Sequence, residues 1–130
     1  MSSKLKKMRV RSKLLQRDVA MILNESARFV SELERGLLPT THLNRWLLAL
    51  IYDCNVRELT DIPMPNAVKK TAIGNWFNAT RETKRLSVKQ WAKKTRVEVD
   101  VITEMLSGKV LPERPQMRKL LIALFPEILT

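Results

Sequence analysis

The 130-residue sequence has few of the residues from which active sites and membrane segments are built. It contains one cysteine, Cys54, and one histidine, His42, which excludes an internal disulfide and a cysteine metal cluster. None of its three glycines lies in a glycine-rich phosphate loop. The longest apolar run is residues 46–52, far below the ~20 residues of a membrane span. The first ten residues lack the apolar core of a signal peptide.

These absences point away from an enzyme. No cluster of metal ligands or catalytic side chains is visible, so we expect no metal, no cofactor and no small-molecule ligand. His42 beside a predicted helix start fits a surface residue or a phosphate contact, and Cys54 fits a small buried hydrophobe. We expect a cytoplasmic protein that makes no contact with a membrane.

Positive charge, by contrast, is abundant. Lysine and arginine number 24 against 13 acidic residues, which gives a net charge of +11 and a pI near 10.3. Such a balance favours a polyanionic partner, although charge alone leaves DNA, RNA, a membrane surface and plain solubility open. The three tryptophans, at 46, 76 and 91, fit core positions better than the stacking platforms of single-strand binders.

Residues 16–36 carry two short runs of helical periodicity. The inward positions are Val19, Ala20 and Leu23 in the first run, and Val30 and Leu33 in the second. Between the runs, Asn24 tolerates a left-handed backbone and Ser26 can cap the next helix, which Gly36 then ends. Two short amphipathic helices across such a turn predict a helix-turn-helix, whose second helix enters the major groove of DNA.

The flanking segments complete a small helical domain, residues 1–61. Residues 3–13 predict a basic first helix, with Leu5 and Met8 inward and Lys4, Lys6, Lys7, Arg9 and Arg11 outward. Residues 41–52 predict a fourth helix, apolar on more than one side. The spacing of Asn55 and Glu58 fits a capping box that opens a short fifth helix. Residues 62–71, with two prolines, predict the linker.

The second half repeats the first. A shift of 72 residues aligns Ala20 with Ala92 and Gly36 with Gly108, and one extra residue in the next loop aligns Leu47 with Leu120. We interpret this as an internal duplication. It predicts a second domain at residues 72–130, with helices near residues 73–85, 88–95, 99–106 and 115–124 and a stub at 126–129. The predicted fold class is all-α, with two tandem five-helix domains joined by a short proline-containing linker.

Residues 16–20 (QRDVA), Ser26 and residues 30–36 (VSELERG) resemble the Cro/CI (XRE-type) helix-turn-helix family of phage and plasmid repressors. Residues 86–92 and 106–109 resemble it again, more loosely. The resemblance implies five short helices per domain and a dimeric, sequence-specific regulator of transcription. It also suggests the context of a mobile genetic element, with the protein associated with the nucleoid when it is bound to DNA.

The resemblance places the base-facing positions on Ala27, Arg28, Phe29 and Glu32. Arg28 can pair with guanine O6 and N7, Phe29 can touch a thymine methyl, and Glu32 can accept from cytosine N4. Alternatives remain open: Arg28 as a phosphate contact or a solvated charge, Phe29 in a protein interface, and Glu32 paired with Arg28 one turn earlier.

The resemblance also gives Gln16 a role in fixing a phosphate and the recognition helix. The candidate contacts to the DNA backbone are basic or polar side chains along the helices before and around the recognition helix, together with two lysines of the second copy. They are Gln16, Arg17, Ser26, Arg35, Lys4, Lys7, Lys13, Lys89 and Lys93.

The second copy departs from the family pattern. Val88 takes the glutamine position, and the reading face holds Val99, Asp100, Val101 and Glu104, whose carboxylates repel phosphates. Yet residues 66–130 hold 13 basic and 6 acidic residues, a net charge of +7, against 11 and 7, or +4, in residues 1–65. Two interpretations stay open for this copy: it grips DNA with weak sequence preference, or it is an interaction module.

Surplus apolar residues on the fourth helices of both copies predict an interface, between the copies of one chain or between chains of a homodimer. Its candidate residues are Leu48, Ile51 and Tyr52, with Asp100 and Glu104 as candidates for a partner protein. The sequence therefore predicts a double-stranded DNA-binding regulator, a repressor that reads the major groove with residues 27–35. The alternative is an antitoxin-like or antirepressor-like regulator that acts through the acidic face of the second domain.

Overall fold

A computed structural model describes residues 3–59 and 68–130, and within those residues it contains helices and no strands. The expected all-α class is confirmed. The chain divides into two compact units, Met1–Ala67 and Val68–Thr130. Most of the predicted linker, residues 62–67, lies outside the described residues. The last two linker residues, 70 and 71, already belong to a helix.

Among its described residues, 3–59, the first unit contains four α-helices and one 3₁₀ helix. They are α1 (Lys4–Arg11), α2 (Gln16–Leu23), α3 (Ala27–Glu34), α4 (His42–Ile51) and the 3₁₀ helix Val56–Leu59. Helix α2 packs against α3 and α4, and α1 packs against α3 and the 3₁₀ helix. The side chains that the sequence periodicity placed inward on α2 and α3 are all buried in this core.

The turn between α2 and α3 has the predicted chemistry. Asn24 ends α2 in the left-handed region, with φ 57° and ψ 47°. The Ser26 hydroxyl accepts a hydrogen bond from the Phe29 backbone N–H at 3.1 Å and so caps α3. The predicted short fifth helix is the 3₁₀ helix, and the Asn55 backbone N–H before it donates to Glu58 Oε2 at 2.7 Å. The helix-turn-helix geometry of residues 16–34 therefore follows from local sequence.

The second unit contains four helices among its described residues. They are α5 (Lys70–Thr83), α6 (Val88–Thr95), α7 (Val99–Leu106) and α8 (Arg114–Leu124). The stub of a fifth helix predicted at residues 126–129 is wrong, because the chain makes a turn there after Phe125 leaves helical geometry. The backbone N–H groups of Ile128 and Leu129 both donate to the Phe125 carbonyl and close this turn.

The two units trace the same backbone path through the helix pair. Both ends of α6 and of α7 lie 72 residues after those of α2 and α3. Left-handed residues recur at the same shift, with φ values of 59° and 54° at Lys13 and Arg85, 57° and 61° at Asn24 and Arg96, and 74° and 78° at Gly36 and Gly108. The repeat predicted from the sequence is thus present in the backbone of these segments.

Helix α5 differs from its counterpart α1. It has 14 residues against 8, and it begins at Lys70, earlier than the predicted start at residue 73. The extra turns pack closely on the end of α7. A Cβ on Gly74 would lie 2.6 Å from the Met105 carbonyl oxygen and 2.8 Å from that of Leu106. The sequence could not predict this start, because the contact that stabilises it joins segments about thirty residues apart.

Candidate nucleic-acid interface

The outward face of α3 carries an ion pair. Val30 and Leu33 are 2% and 5% exposed, so they hold the opposite side of the helix in the core. Arg28 donates from Nε to Glu32 Oε1 at 2.9 Å, and the two side chains are 85% and 25% exposed. The alternative considered from the sequence, in which Glu32 pairs with Arg28, is therefore seen in the structure. Such an exposed pair adds at most ~0.5 kcal/mol to stability, so the arginine can leave it at little cost.

The neighbouring candidates also lie at the accessible start of α3. Ala27 is exposed, Phe29 is half-buried, and Ser26 is exposed while its hydroxyl caps the helix. The amino terminus of a helix carries a partial positive charge, which favours an approaching anion. Three of the predicted base-reading residues, Ala27, Arg28 and Phe29, thus lie at the start of α3, and Glu32 lies one turn after Arg28.

A buried polar network holds the other end of α3. Arg9 is 8% exposed and Glu34 6% exposed. Arg9 donates from Nε to Glu34 Oε2 at 2.6 Å, from Nη2 to Oε1 at 3.2 Å, and from Nη1 to the Leu14 carbonyl at 3.0 Å. The Gln16 amide donates to Glu34 Oε1 at 3.1 Å. One carboxylate therefore joins α1, the first residue of α2 and the last residue of α3.

Arg9 corrects the sequence prediction, which placed it on the outward face. Leu5, Met8 and Arg9 are spaced i, i+3, i+4, so the helical period puts all three on one side. The charge of Arg9 argued for solvent, but Glu34 supplies a buried counter-charge 25 residues away. The spacing was the signal that could have identified this residue, and nothing in the sequence identified its partner.

The network raises the pKa values of Arg9 and Tyr52. The hydrogen bond to Glu34 raises the pKa of Arg9 above its usual value, against the opposing effect of burial. Burial, followed by the negative charge of Glu34, raises the pKa of the nearby Tyr52 hydroxyl above 10.0. Arg9 therefore stays protonated and the Tyr52 phenol stays neutral at neutral pH.

Gln16 contacts α3 as the family resemblance implied. Its side chain is half-buried and bonded to Glu34, so the start of α2 and the end of α3 are fastened together. The predicted role of Gln16 at a phosphate remains a prediction. The remaining candidates for backbone contact are all exposed, namely Lys4, Lys7, Lys13, Arg17, Arg35, Lys89 and Lys93.

The second unit repeats half of this network. Arg81, 72 residues after Arg9, donates from Nη1 to the Leu86 carbonyl at 2.9 Å. Leu106 replaces Glu34, so Nη2 bonds instead to Asn78 Oδ1 at 2.8 Å. Arg81 Nε is buried and has no acceptor among the described residues. Arg81 Nη2 also lies 3.7 Å from Oε1 of Glu82, whose side chain is 64% exposed.

The reading face of α7 is acidic where that of α3 is neutral. Asp100 and Glu104 occupy the places of Arg28 and Glu32, and both are exposed. Val99, at the place of Ala27, is 41% exposed. Two carboxylates one helical turn apart repel each other and also repel phosphate. This helix end is therefore poorly suited to a DNA groove.

The predicted interface on α4 needs correction. Leu48, Ile51 and Tyr52 are 2%, 2% and 4% exposed. They offer no open surface to a second protein chain, so the prediction of an interface between chains is wrong for these three residues. Their apolar surface is already used in the core of the chain. Cys54 is 4% exposed, as expected of a small buried hydrophobe.

In comparisons with known protein families, curated proteins and solved structures, this chain has no match. Among residues 3–59 and 68–130, no three potential metal ligands of the His, Cys, Asp or Glu type group together. In the same residues, every helix is too short or too polar to cross a bilayer.

Proposed function

We propose that this protein is a sequence-specific, double-stranded DNA-binding regulator of transcription that reads the major groove with α3. The observation that carries the proposal is the geometry of this helix. Its carboxyl end is tied into the core by Glu34, while its amino end presents Arg28 with 85% of the side chain exposed. A helix anchored at one end, with an exposed bidentate donor at the other, suits base recognition.

The dimensions and the charges support this proposal. Eight residues of α3 span about 12 Å, comparable with the ~12 Å width of the major groove. Exposed cations flank the helix on both sides in sequence, with Lys13 and Arg17 before it and Arg35 after it. Phosphate contacts from such residues would position the helix without reading sequence.

The resemblance to Cro/CI repressors supplies the rest of the proposal. We place both units in that architecture, the second as a divergent copy, and we propose that the protein represses by occupying promoter DNA, as a dimer or with a partner. It would act in the cytoplasm, on the nucleoid, without a cofactor. We do not propose a catalytic activity.

A second candidate function rests on the acidic face of α7. Exposed Asp100 and Glu104 beside exposed Val99 favour contact with a protein over contact with DNA. On this alternative the chain is an antitoxin-like or antirepressor-like regulator, and the second unit is its active part. Asp100→Ala would then abolish regulation while leaving DNA affinity intact.

The first experiment is selection of binding sites from random duplex DNA at ~150 mM salt, where nonspecific binding is weak. Recovery of one motif supports the proposal, and its half-site spacing gives the arrangement of the reading helices. Recovery of no motif by the folded chain contradicts it.

Arg28→Ala is expected to weaken binding to the recovered site by ~1–3 kcal/mol and to relax preference at one base pair. Quantitative titration of the selected duplex and its single-base variants would measure both effects. Arg57→Ala, which removes the same charge from an exposed position on the 3₁₀ helix, is the matched control and should leave base preference unchanged. Equal losses from the two variants would reduce Arg28 to a nonspecific contact.

A further inference from the structure

Helix α6 presents a cluster of cations on its solvent side. The helix buries Trp91 and Thr95, which are 0% and 6% exposed. The opposite side and the two flanking turns form a surface that we name the α6 basic face. Its members, all exposed, are Arg85, Lys89, Lys93, Lys94 and Arg96.

The charges of the α6 basic face are uncompensated. Among the described residues, none of its five members takes part in an ion pair. Lys89 and Lys93 lie one helical turn apart, and like charges at this spacing destabilise a helix. No ion pair within the described residues offsets this repulsion, and a bound polyanion would reduce it.

The first unit lacks such a face at the same positions. Lys13 and Arg17 match Arg85 and Lys89, but Met21, Ile22 and Asn24 stand where the other three cations stand in the second unit. Met21 is 56% exposed and Ile22 is 2% exposed. The cations of the α6 basic face are therefore not required by the backbone that the two units share.

The capping residues accentuate the difference. Asp18 Oδ2 accepts from the Leu15 backbone N–H at 2.8 Å at the start of α2. At the start of α6, Gln90 Oε1 accepts from the Ser87 backbone N–H at 3.0 Å, so a neutral side chain caps this helix. The amino end of α6 thus keeps its hydrogen bonds and carries no carboxylate in its first turn.

Charge also decides which part of this unit can approach DNA. Asp100 and Glu104 on α7 stand where a groove-reading helix would meet the bases, and they repel phosphates. The α6 basic face attracts phosphates. Both charge distributions are accommodated when α6 lies along a phosphate backbone and the outward side of α7 faces away from the groove.

We propose that the α6 basic face is a second nucleic-acid contact, which binds the phosphate backbone of duplex DNA without reading its bases. The identity of the ligand rests on the proposed function, since α3 is what brings the chain to DNA. The second unit then adds affinity at any sequence, while the first unit supplies the preference for one sequence.

The test compares two triple variants of the full chain. Lys89→Gln, Lys93→Gln and Lys94→Gln remove three charges from the α6 basic face. Three other substitutions, Lys69→Gln, Lys109→Gln and Lys119→Gln, remove three charges from exposed positions elsewhere in the same unit. Net charge is equal in the two variants, and glutamine matches lysine closely in helix propensity, so α6 should remain folded. Circular dichroism checks this.

The measurement is the dissociation constant between 50 and 200 mM salt, for the selected duplex and for an unrelated duplex of the same length. Each phosphate contact contributes about 0.9 to the slope of log K against log salt, so the α6 variant should lose ~2–3 from that slope. It should lose affinity by the same factor on both duplexes, with base preference unchanged. The control variant should change the slope by less than one contact.

Two results would overturn the proposal. One is an equal slope in the α6 variant and the control, and the other is a changed base preference in the α6 variant. A third variant, with Lys89→Arg, Lys93→Arg and Lys94→Arg, should keep the wild-type slope. The proposed function fails separately, when the wild-type chain selects no motif. Wild-type selection of a motif with equal slopes in the two variants rejects the α6 contact alone.

Discussion

The helix pairs of the two units follow the same backbone path, but different contacts hold the carboxyl ends of α3 and α7. In the first, Glu34 at the end of α3 binds Arg9 and Gln16 in a buried network. In the second, Leu106 stands in its place, and the end of α7 is held by the close approach of α5 at Gly74. The two solutions keep the helix in place, one by charge and one by contact of backbones.

The part that the two units share shows what the fold requires. Arg9 and Arg81 both donate Nη1 to a carbonyl five residues later, at 3.0 and 2.9 Å. Each carbonyl follows a left-handed residue, Lys13 or Arg85. The arginine therefore stabilises the turn after the first helix in both units, and the carboxylate is an addition of the first.

The largest effect is expected from Glu34→Leu, which gives the first unit the residue of the second. It leaves Arg9 buried without its counter-charge, and breaking a buried pair in this way costs about 3–5 kcal/mol. Urea unfolding of the full chain, followed by residue-resolved amide exchange in α3, would measure the loss. Adding Arg9→Met should restore much of it. A loss below ~1 kcal/mol from the single change would show that the pair does not hold α3.

Gly108→Ala should destabilise more than Gly36→Ala. Both glycines have left-handed φ, 78° and 74°, so alanine costs about 1–2 kcal/mol at either position. At Gly108 the new Cβ would also lie 2.9 Å from Thr71 Cα, while nothing lies within 4 Å at Gly36. Overpacking adds about 1–3 kcal/mol in the second unit. Equal losses, by amide exchange in each unit, would contradict the close packing of α5.

Alkaline pH should separate the units through Tyr52, the single tyrosine of the chain. Burial raises its pKa above the unfolded value of 10.0, so its contribution to stability is complete below that pH and is lost as pH rises beyond it. Phe125 holds the equivalent position in the second unit and does not ionise. Absorbance at 295 nm should show no tyrosinate until the first unit unfolds, and Tyr52→Phe should reduce the alkaline loss. Titration near pH 10 in the folded chain would contradict this burial.

The smallest effect is expected at the turn inside the helix pair. Arg96 adopts φ 61°, a region that costs an ordinary side chain about 1–2 kcal/mol, while Asn24 adopts φ 57° more readily. Arg96→Gly removes this strain, but glycine loses more conformational entropy on folding. The net effect should be a stabilisation of the second unit by about 0.5–1 kcal/mol. Asn24→Gly should be close to neutral. Thermal unfolding measures both, and a loss at Arg96→Gly would mean that its side chain contributes more than its backbone costs.

Local chemistry explains most of what the sequence predicted correctly. Neighbouring residues determine the capping bond of Ser26, the left-handed conformation of Asn24 and the ends of α2 and α3. These features could therefore be predicted from the sequence. The predictions that failed depend on distant contacts. The second unit lacks the expected fifth helix among its described residues, and Leu48 and Ile51 fill the core instead of an exposed interface.

The sequence by itself determined the two helix pairs, their repeat and the position of Arg28 on an outward helix face, because periodicity and capping act over a few residues. Tertiary structure decided which charges are buried. Arg9 and Glu34 are 25 residues apart, and burial of either alone would be prohibitive. Only folding brings the two charges together, and this pairing anchors α3 at one end while its other end stays exposed.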